Sequence, residues 1–268
     1  YHHAFGKEEA LKNAIELFHI IVEKSYDVDN AGYFETFNRD WTVPDDVRLS
    51  AIDMNEKKSM NTHLHILEAF TTLYRVRPAD AIKQKLREII DIFSTNISDE
   101  HNHRFKLYYD EKWTCKSDKK SFGHDIEGSW LLGEAAQVLD DPALEFIRTI
   151  SWNMAEQVLK TGVDTDGAVC YEGRGHVIID YDRHWWPQAE AVVGFINAWQ
   201  LSGKIEFLQA AVNCWQFIVD RIIDHKYGEW FWKVNREGIV DEKMPKVSEW
   251  KSAYHNTRAC LEIIHRLS

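Results

Sequence analysis

The chain has 268 residues, with 32 Lys and Arg against 43 Asp and Glu, a formal charge of −11. That balance supplies neither the basic face that displaces counterions from nucleic acid nor the polybasic patch that docks on anionic lipid. Hydrophobic residues make up 44%, enough for a core, and no apolar run approaches the ~18 residues of a bilayer span. These features exclude a nucleic-acid-binding protein, a transporter and a small secreted scaffold.

In chain order, residues 7–24 place Leu11, Ala14, Ile15, Phe18, Ile21 and Val22 at steps of three and four, which predicts an amphipathic helix. Helices are likewise expected at 60–76, 79–95, 124–139, 143–161, 186–201 and 255–267. The same pattern recurs in Leu208, Ala211, Val212, Trp215, Ile218 and Ile222. Pro142 and Gly203 mark helix–helix turns. Strand signals are confined to Gly32–Phe37, Arg104–Tyr109, Gly167–Glu172 and Gly228–Lys233. Each follows an amphipathic helix at intervals of about 60–70 residues and predicts a short two-stranded hairpin. One helical hairpin with its connection fills such an interval. The expected fold is therefore all-α, an (α/α)6 toroid or barrel of helical hairpins with short β-hairpin loops, forming one domain over residues 1–268. About four hairpins are counted where six close the ring, so the chain is expected to lack its first one to two hairpins.

Cys115, Cys170, Cys214 and Cys260 form no C-x-x-C motif, which removes the common zinc and redox frameworks. Cys214 and Cys260 lie in helical apolar patterns and read as reduced core residues, which suits the cytoplasm. The 11 Trp residues fill cores or stack on sugar rings. Several lie beside polar clusters, and this favours a carbohydrate ligand.

Those clusters recur at the start of the second helix of each repeat: residues 60–65, 123–127, 184–190 and 254–258, anchored on Asn61, His124, Pro187 and His255. Within them Asn61 with His65, His124 with Glu127, Trp186 with Glu190 and His255 with Arg258 are three or four apart and can share a helix face. Repeat-equivalent helix starts meet at one end of a toroid, so His65, His124 and His255 are expected around one mouth with Glu127 and Glu190. His63 and His65 are two apart on a helix and diverge by about 200°, so no metal site is expected there. His101 and His103 read as solvated loop residues.

With no metal, nucleotide or nucleophilic-cysteine motif, the histidines are expected to move protons without a cofactor. A sugar aldehyde has an acidic C–H at C2. One imidazole can remove that proton and a second can return one on the opposite face, with helix N-termini stabilising the enediolate. His65 with Asn61 is the candidate for opening the sugar ring, and Trp186 and Trp250 for holding the pyranoses. A glycoside hydrolase built on Glu127 with Glu190 or Asp125 is the rival enzyme class, and a non-catalytic sugar-binding fragment is another reading.

The stretches Met54–Ala69, Gly123–Glu127, Trp185–Gly194 and Trp250–Glu262 resemble, in order and over essentially the whole chain, the cellobiose 2-epimerases of the N-acylglucosamine 2-epimerase superfamily. The resemblance implies an (α/α)6 barrel and a cofactor-free cytoplasmic isomerase. Its substrates would be β-1,4-linked disaccharides such as cellobiose and lactose, epimerised at C2 of the reducing-end glucose to give mannose. It implies His124 and His255 as the acid–base pair and His65 as the ring-opening histidine. Asn61, Glu127, Trp186, Glu190 and Trp250 fall on substrate-contacting positions. Monosaccharide 2-epimerases and aldose–ketose isomerases of the same superfamily are the near alternatives. The family's Gly-Pro-Trp-Lys-Cys-Pro-Tyr-His-Asn-Gly stretch reads Ser248-Glu-Trp-Lys-Ser-Ala-Tyr-His-Asn-Thr257 here. Neither nucleic acid nor membrane is expected as a partner.

Overall fold

A computed structural model describes residues Tyr1–Ser268. Nine α-helices follow in chain order: α1 (His2–Phe5), α2 (Glu8–Lys24), α3 (Met60–Val76), α4 (Asp80–Ile92), α5 (Phe122–Leu139), α6 (Phe146–Thr161), α7 (Trp185–Ser202), α8 (Ile205–Phe217) and α9 (Tyr254–Leu267). No helix is long and apolar enough to cross a membrane. The chain forms two compact units. One comprises residues 1–99, 106–118 and 134–144, and the other residues 100–105, 119–133 and 145–268.

In the first unit α3 starts where Ser59, in extended conformation, accepts a hydrogen bond from the Thr62 amide, the usual way to satisfy an orphan N–H. Met60, Leu64, Leu67, Phe70 and Leu73 are buried along α3, and Ile82, Leu86, Ile89 and Ile90 along α4, which packs on it. Fully burying each such side chain stabilises by about 1.5–3 kcal/mol. The last turn of α4 widens into a π-turn, Phe93–Ile97. On α2 only Phe18 is buried, edge-on to Phe70 at 4.8 Å, so the rest of its expected apolar stripe is only partly covered.

In the second unit α7 is buried continuously from Trp185 to Ile196 and lies against α6, α8 and α9. A helix apolar all round is a core helix. On α8 the buried side chains are Phe207, Ala210, Ala211, Cys214 and Phe217, with Ile218 and Ile222 in the π-turn that follows. This corrects the expected stripe. Val212 and Trp215 are 53% and 39% exposed, because α8 carries apolar residues on two adjacent faces and packing against α7 selects the other one. A three-stranded antiparallel sheet joins Lys119–Ser121, Glu172–Arg174 and Val177–Asp180.

The aromatic stretches form less strand than expected. In three of them the hairpin across the turn is a single antiparallel bridge, Tyr26 with Tyr33, Val163 with Val169 and Ile223 with Trp230. In each, an Asp amide closes a tight turn instead: Asp27 onto Gly32 O at 2.8 Å, Asp164 onto Ala168 O at 3.0 Å and Asp224 onto Glu229 O at 2.8 Å. Gly32 sits at φ +83, and a Cβ there would come within 2.4 Å of the Trp113 ring, so only glycine fits. In the remaining stretch, Tyr108–Tyr109 pairs with Lys58–Ser59. The turn aspartates also meet cations. Lys58 Nζ reaches Asp27 at 2.8 Å, Arg183 Nη2 reaches Asp164 at 2.8 Å, and Lys246 pairs with Asp224. Lys58 and Arg183 are fully buried two residues ahead of α3 and α7. Each thereby anchors a helix start to the turn that precedes it.

Candidate active site

The second unit brings four of the expected residues, Glu127 (α5), Trp186 and Glu190 (α7) and His255 (α9), into one cluster, with His124 (α5) joined to it through Trp186. Glu127 and Glu190 are fully buried. His255 Nδ1 lies 2.7 Å from Glu190 Oε1 and 3.9 Å from Glu127 Oε1. Arg258, one turn along α9, donates from Nη2 to Glu127 Oε1 at 2.5 Å and to Glu190 Oε1 at 2.7 Å. Trp130 Nε1 donates to the other Glu190 oxygen at 3.1 Å. Burial alone would raise the Glu190 carboxyl, but the Arg258 charge and the His255 hydrogen bond outweigh it and hold Glu190 below the usual carboxylate range.

Because a carboxylate only accepts, the Nδ1 of His255 carries the proton in this pair, and its Nε2 is the nitrogen with a lone pair in the neutral ring. His124 Nδ1 lies 2.8 Å from Ser121 Oγ, three residues earlier at the helix start. The two imidazoles share a neighbour. The Trp186 ring is 4.7 Å from His124 and 5.5 Å from His255, centroid to centroid. Trp185 and Tyr254 also flank His255, at 6.3 and 4.7 Å.

Gly123 permits this arrangement, since a Cβ there would fall 2.5 Å from the Trp186 ring. At Gly194 a Cβ would fall 2.6 Å from Ile126, so α5 and α7 approach closely enough to bring Glu127 and Glu190 onto one guanidinium. Trp250 stands apart from the cluster. It is 54% exposed, in the loop before α9, and its backbone amide bonds Ser248 Oγ at 3.1 Å. That loop keeps its shape through Lys251, which is fully buried and donates to Glu229 at 2.9 Å and to Lys246 O at 2.8 Å.

Asn61 and His65 belong to α3 of the first unit. There His65 Nδ1 lies 3.4 Å from Glu68 Oε2. His63 points elsewhere, as the helical angle requires. It is fully buried, its Nδ1 donates to Ser59 O at 2.7 Å and its Nε2 accepts from the Tyr33 amide at 2.9 Å. Burial pushes it down to about 4 and keeps it neutral. It is a structural histidine. Glu35, which sequence reading passed over, accepts from Ser59 Oγ and Thr62 Oγ1, each at 2.7 Å, beside the start of α3. Burial raises its carboxyl above the usual range.

Two groups have ligand atoms close enough for a metal ion: Glu127, Glu190 and His255, and Asp180, Asp182 and His184. In the first, Arg258 already supplies the positive charge between the carboxylates. In the second, Asp182 is paired with Lys233 at 2.7 Å and His184 is stacked on Tyr171 at 3.8 Å. The sequence reading placed Arg258 on the face of His255 without giving it a role in the site, and it missed Trp130, Ser121 and Tyr254. Trp130 and Ser121 were findable, each three residues from an expected site residue on α5.

Residues 50–259 match the family model of N-acylglucosamine 2-epimerase. The cellobiose 2-epimerase of Bacteroides fragilis is 41% identical over 98% of this chain and 68% of its own length. The solved cellobiose 2-epimerase of Bacillus thermoamylovorans is 35% identical, with a TM-score of 0.94 over 99% of this chain and 68% of that one. That of Spirochaeta thermophila is 39% identical, with a TM-score of 0.91 over 100% of this chain and 67% of that one. The all-α fold is thus that of these enzymes, in line with the expected (α/α)6 class. By sequence and by fold, the chain belongs to the N-acylglucosamine 2-epimerase family.

Proposed function

We propose that the protein is a cellobiose 2-epimerase that interconverts glucose and mannose at C2 of the reducing-end sugar of β-1,4-linked disaccharides. His124 and His255 are the acid–base pair. The observation that carries this reading is the shared Trp186 ring, 4.7 Å from one imidazole and 5.5 Å from the other. An indole of that kind offers a sugar ring an apolar face, and a sugar resting beside it is within reach of both bases. One imidazole takes the C2 proton to leave an enediolate, and the other delivers a proton to the opposite face.

The charge balance supports a base at His255. Two carboxylates against the single Arg258 guanidinium leave one negative charge beside the ring. A proton taken from carbon is then carried there without building net positive charge. His65 as the ring-opening group, and Asn61 and Trp250 as substrate contacts, rest on the motif resemblance. Residues 1–268 are read as part of one barrel domain, supported by matches over 98–100% of the chain. Four free cysteines support a reducing, cytoplasmic setting.

The test is incubation of the chain with cellobiose, followed by chromatography and mass spectrometry. The expected product is one new disaccharide of unchanged mass that yields mannose and glucose on acid hydrolysis. Release of monosaccharides would assign a hydrolase, a ketose product an isomerase, and unchanged cellobiose that still binds a sugar-binding protein.

A further inference from the structure

A polar cavity of about 270 Å3 lies in the second unit and shares no lining residue with the candidate active site. Arg104, Lys120, Asp125, Gln157 and His176 face it. Lys120 is its unusual member. The side chain is only 7% exposed, yet its ammonium makes no hydrogen bond or ion pair, and its contact is with the face of Phe122 at 5.1 Å.

Lysine or arginine lies two or three residues ahead of three other helices, and each of those has acceptors. Lys58 has Asp27, Ala31 O and Glu111 O at 2.7–2.9 Å. Arg183 has Asp164 and Asp166 at 2.8 and 3.1 Å. Lys251 has Glu229 and Lys246 O at 2.9 and 2.8 Å. Holding an ammonium on a largely buried side chain with no protein acceptor is costly unless something in the cavity supplies one. Room is nevertheless kept for it, because a Cβ on the cross-strand Gly173 would come within 2.4 Å of Lys120 Cε.

The other charged groups leave the cavity cationic. Arg104 makes one long bond, to Lys119 O at 3.4 Å. The sole carboxyl, Asp125, is fully buried, accepts from the Phe105 amide at 2.8 Å and pairs with neither cation. Burial pushes it up to about 7, which favours the neutral acid, the form able to donate.

We propose that this cavity binds a small oxyanion, inorganic phosphate or the phosphoryl group of a phosphomonoester, with Lys120 and Arg104 as charge partners and the Asp125 carboxyl as a hydrogen-bond donor. The volume falls just below the ~300–1,000 Å3 of drug-sized ligand sites, which suits a phosphate or a small phosphomonoester. The site is independent of the sugar chemistry at His124 and His255.

The experiment is calorimetric titration of the 268-residue chain with inorganic phosphate, and separately with glucose 6-phosphate, at fixed ionic strength. The wild type is compared with Lys120→Met and Arg104→Gln. Phosphate is expected to saturate one site per chain, and each substitution to weaken binding by roughly tenfold or more, as for loss of one charge-assisted hydrogen bond. Tighter binding of glucose 6-phosphate would assign the ester as the ligand, and equal binding the free anion. Met preserves the packing on Phe122 while removing the ammonium, so Lys120→Met is also expected to raise the phosphate-free melting temperature. Should that variant fail to fold, Arg104→Gln, at a half-buried position, decides alone. Absence of saturable binding of either ligand, or affinity unchanged in every variant that folds, would overturn the proposal.

Discussion

Replacing Glu190 with Gln keeps its shape and removes its charge from the centre of the cluster. The native carboxylate accepts three bonds, from His255 and Arg258 at 2.7 Å and from Trp130 at 3.1 Å. An amide oxygen can still accept from one or two of these, but the amide NH2 then faces a donor. Breaking a buried ion pair by removing one partner costs about 3–5 kcal/mol. Arg258 keeps Glu127 at 2.5 Å, so the lower end, about 3 kcal/mol, is expected. For a chain of this size that lowers the melting temperature by roughly 6–12 °C.

The imidazole of His255 also loses its anchor. One charge-assisted bond of about 1.5–3 kcal/mol converts to a fall in turnover of roughly 10- to 100-fold. The pH dependence has a definite sign. Native Glu190 is held below the usual carboxylate range, so the stability it contributes is full above the ordinary glutamate value of ~4.3 and is lost as pH falls through its lower native value. The gap between wild type and variant should therefore narrow as pH falls from ~4.3 to that lower native value and level off beneath it. Urea denaturation at several pH values and steady-state epimerisation of cellobiose measure both effects. A variant within ~0.5 kcal/mol of wild type and with turnover within twofold would refute the anchoring argument.

Other substitutions give sharp expectations. Lys58→Met leaves Asp27, Ala31 O and Glu111 O without their donor and should cost about 3–5 kcal/mol; a loss under ~1 kcal/mol in urea denaturation would contradict the turn-anchor role. Gly32→Ala places a Cβ 2.4 Å from Trp113 and 2.8 Å from His63 at φ +83, so destabilisation well beyond ~1 kcal/mol is expected, and a neutral effect would mean that the turn adjusts freely. Burial pushes the Asp125 carboxyl up to about 7 in the fold. The stability it contributes is full below its unfolded value of ~3.9 and declines as pH rises towards 7. Asp125→Asn should therefore gain on wild type between pH 4.5 and 8, and a pH-independent difference would refute that assignment.

Helix positions were legible because steps of three and four survive in any amphipathic segment. α3 and α9 run within one residue of the expected ranges at both ends. Periodicity gives the period but not the phase where two faces are apolar, and so the buried stripe of α8 was misplaced from Phe207 and Cys214 to Leu208 and Trp215. Aromatic runs signal strand, but at three of the four loops an Asp turn and a left-handed glycine stop the hairpin after one bridge.

In the candidate site, the residue types were visible in local spacing, but their partners were not. His255 meets Glu190 across 65 residues of chain, and Lys58 meets Asp27 across 31. No periodicity encodes such pairs. His63 and His65 illustrate the same limit at short range. The helical angle separates them, but only the Tyr33 amide and Ser59 carbonyl identify His63 as structural.

The most direct measurement is epimerisation of cellobiose in D2O, with deuterium located by NMR, for wild type, His124→Ala and His255→Ala. Acid–base transfer through these imidazoles requires solvent deuterium at C2 of the reducing-end sugar in the wild-type product, and almost none formed by either folded variant. An epimer carrying the original C2 hydrogen, or label entering at an undiminished rate without either histidine, would contradict it.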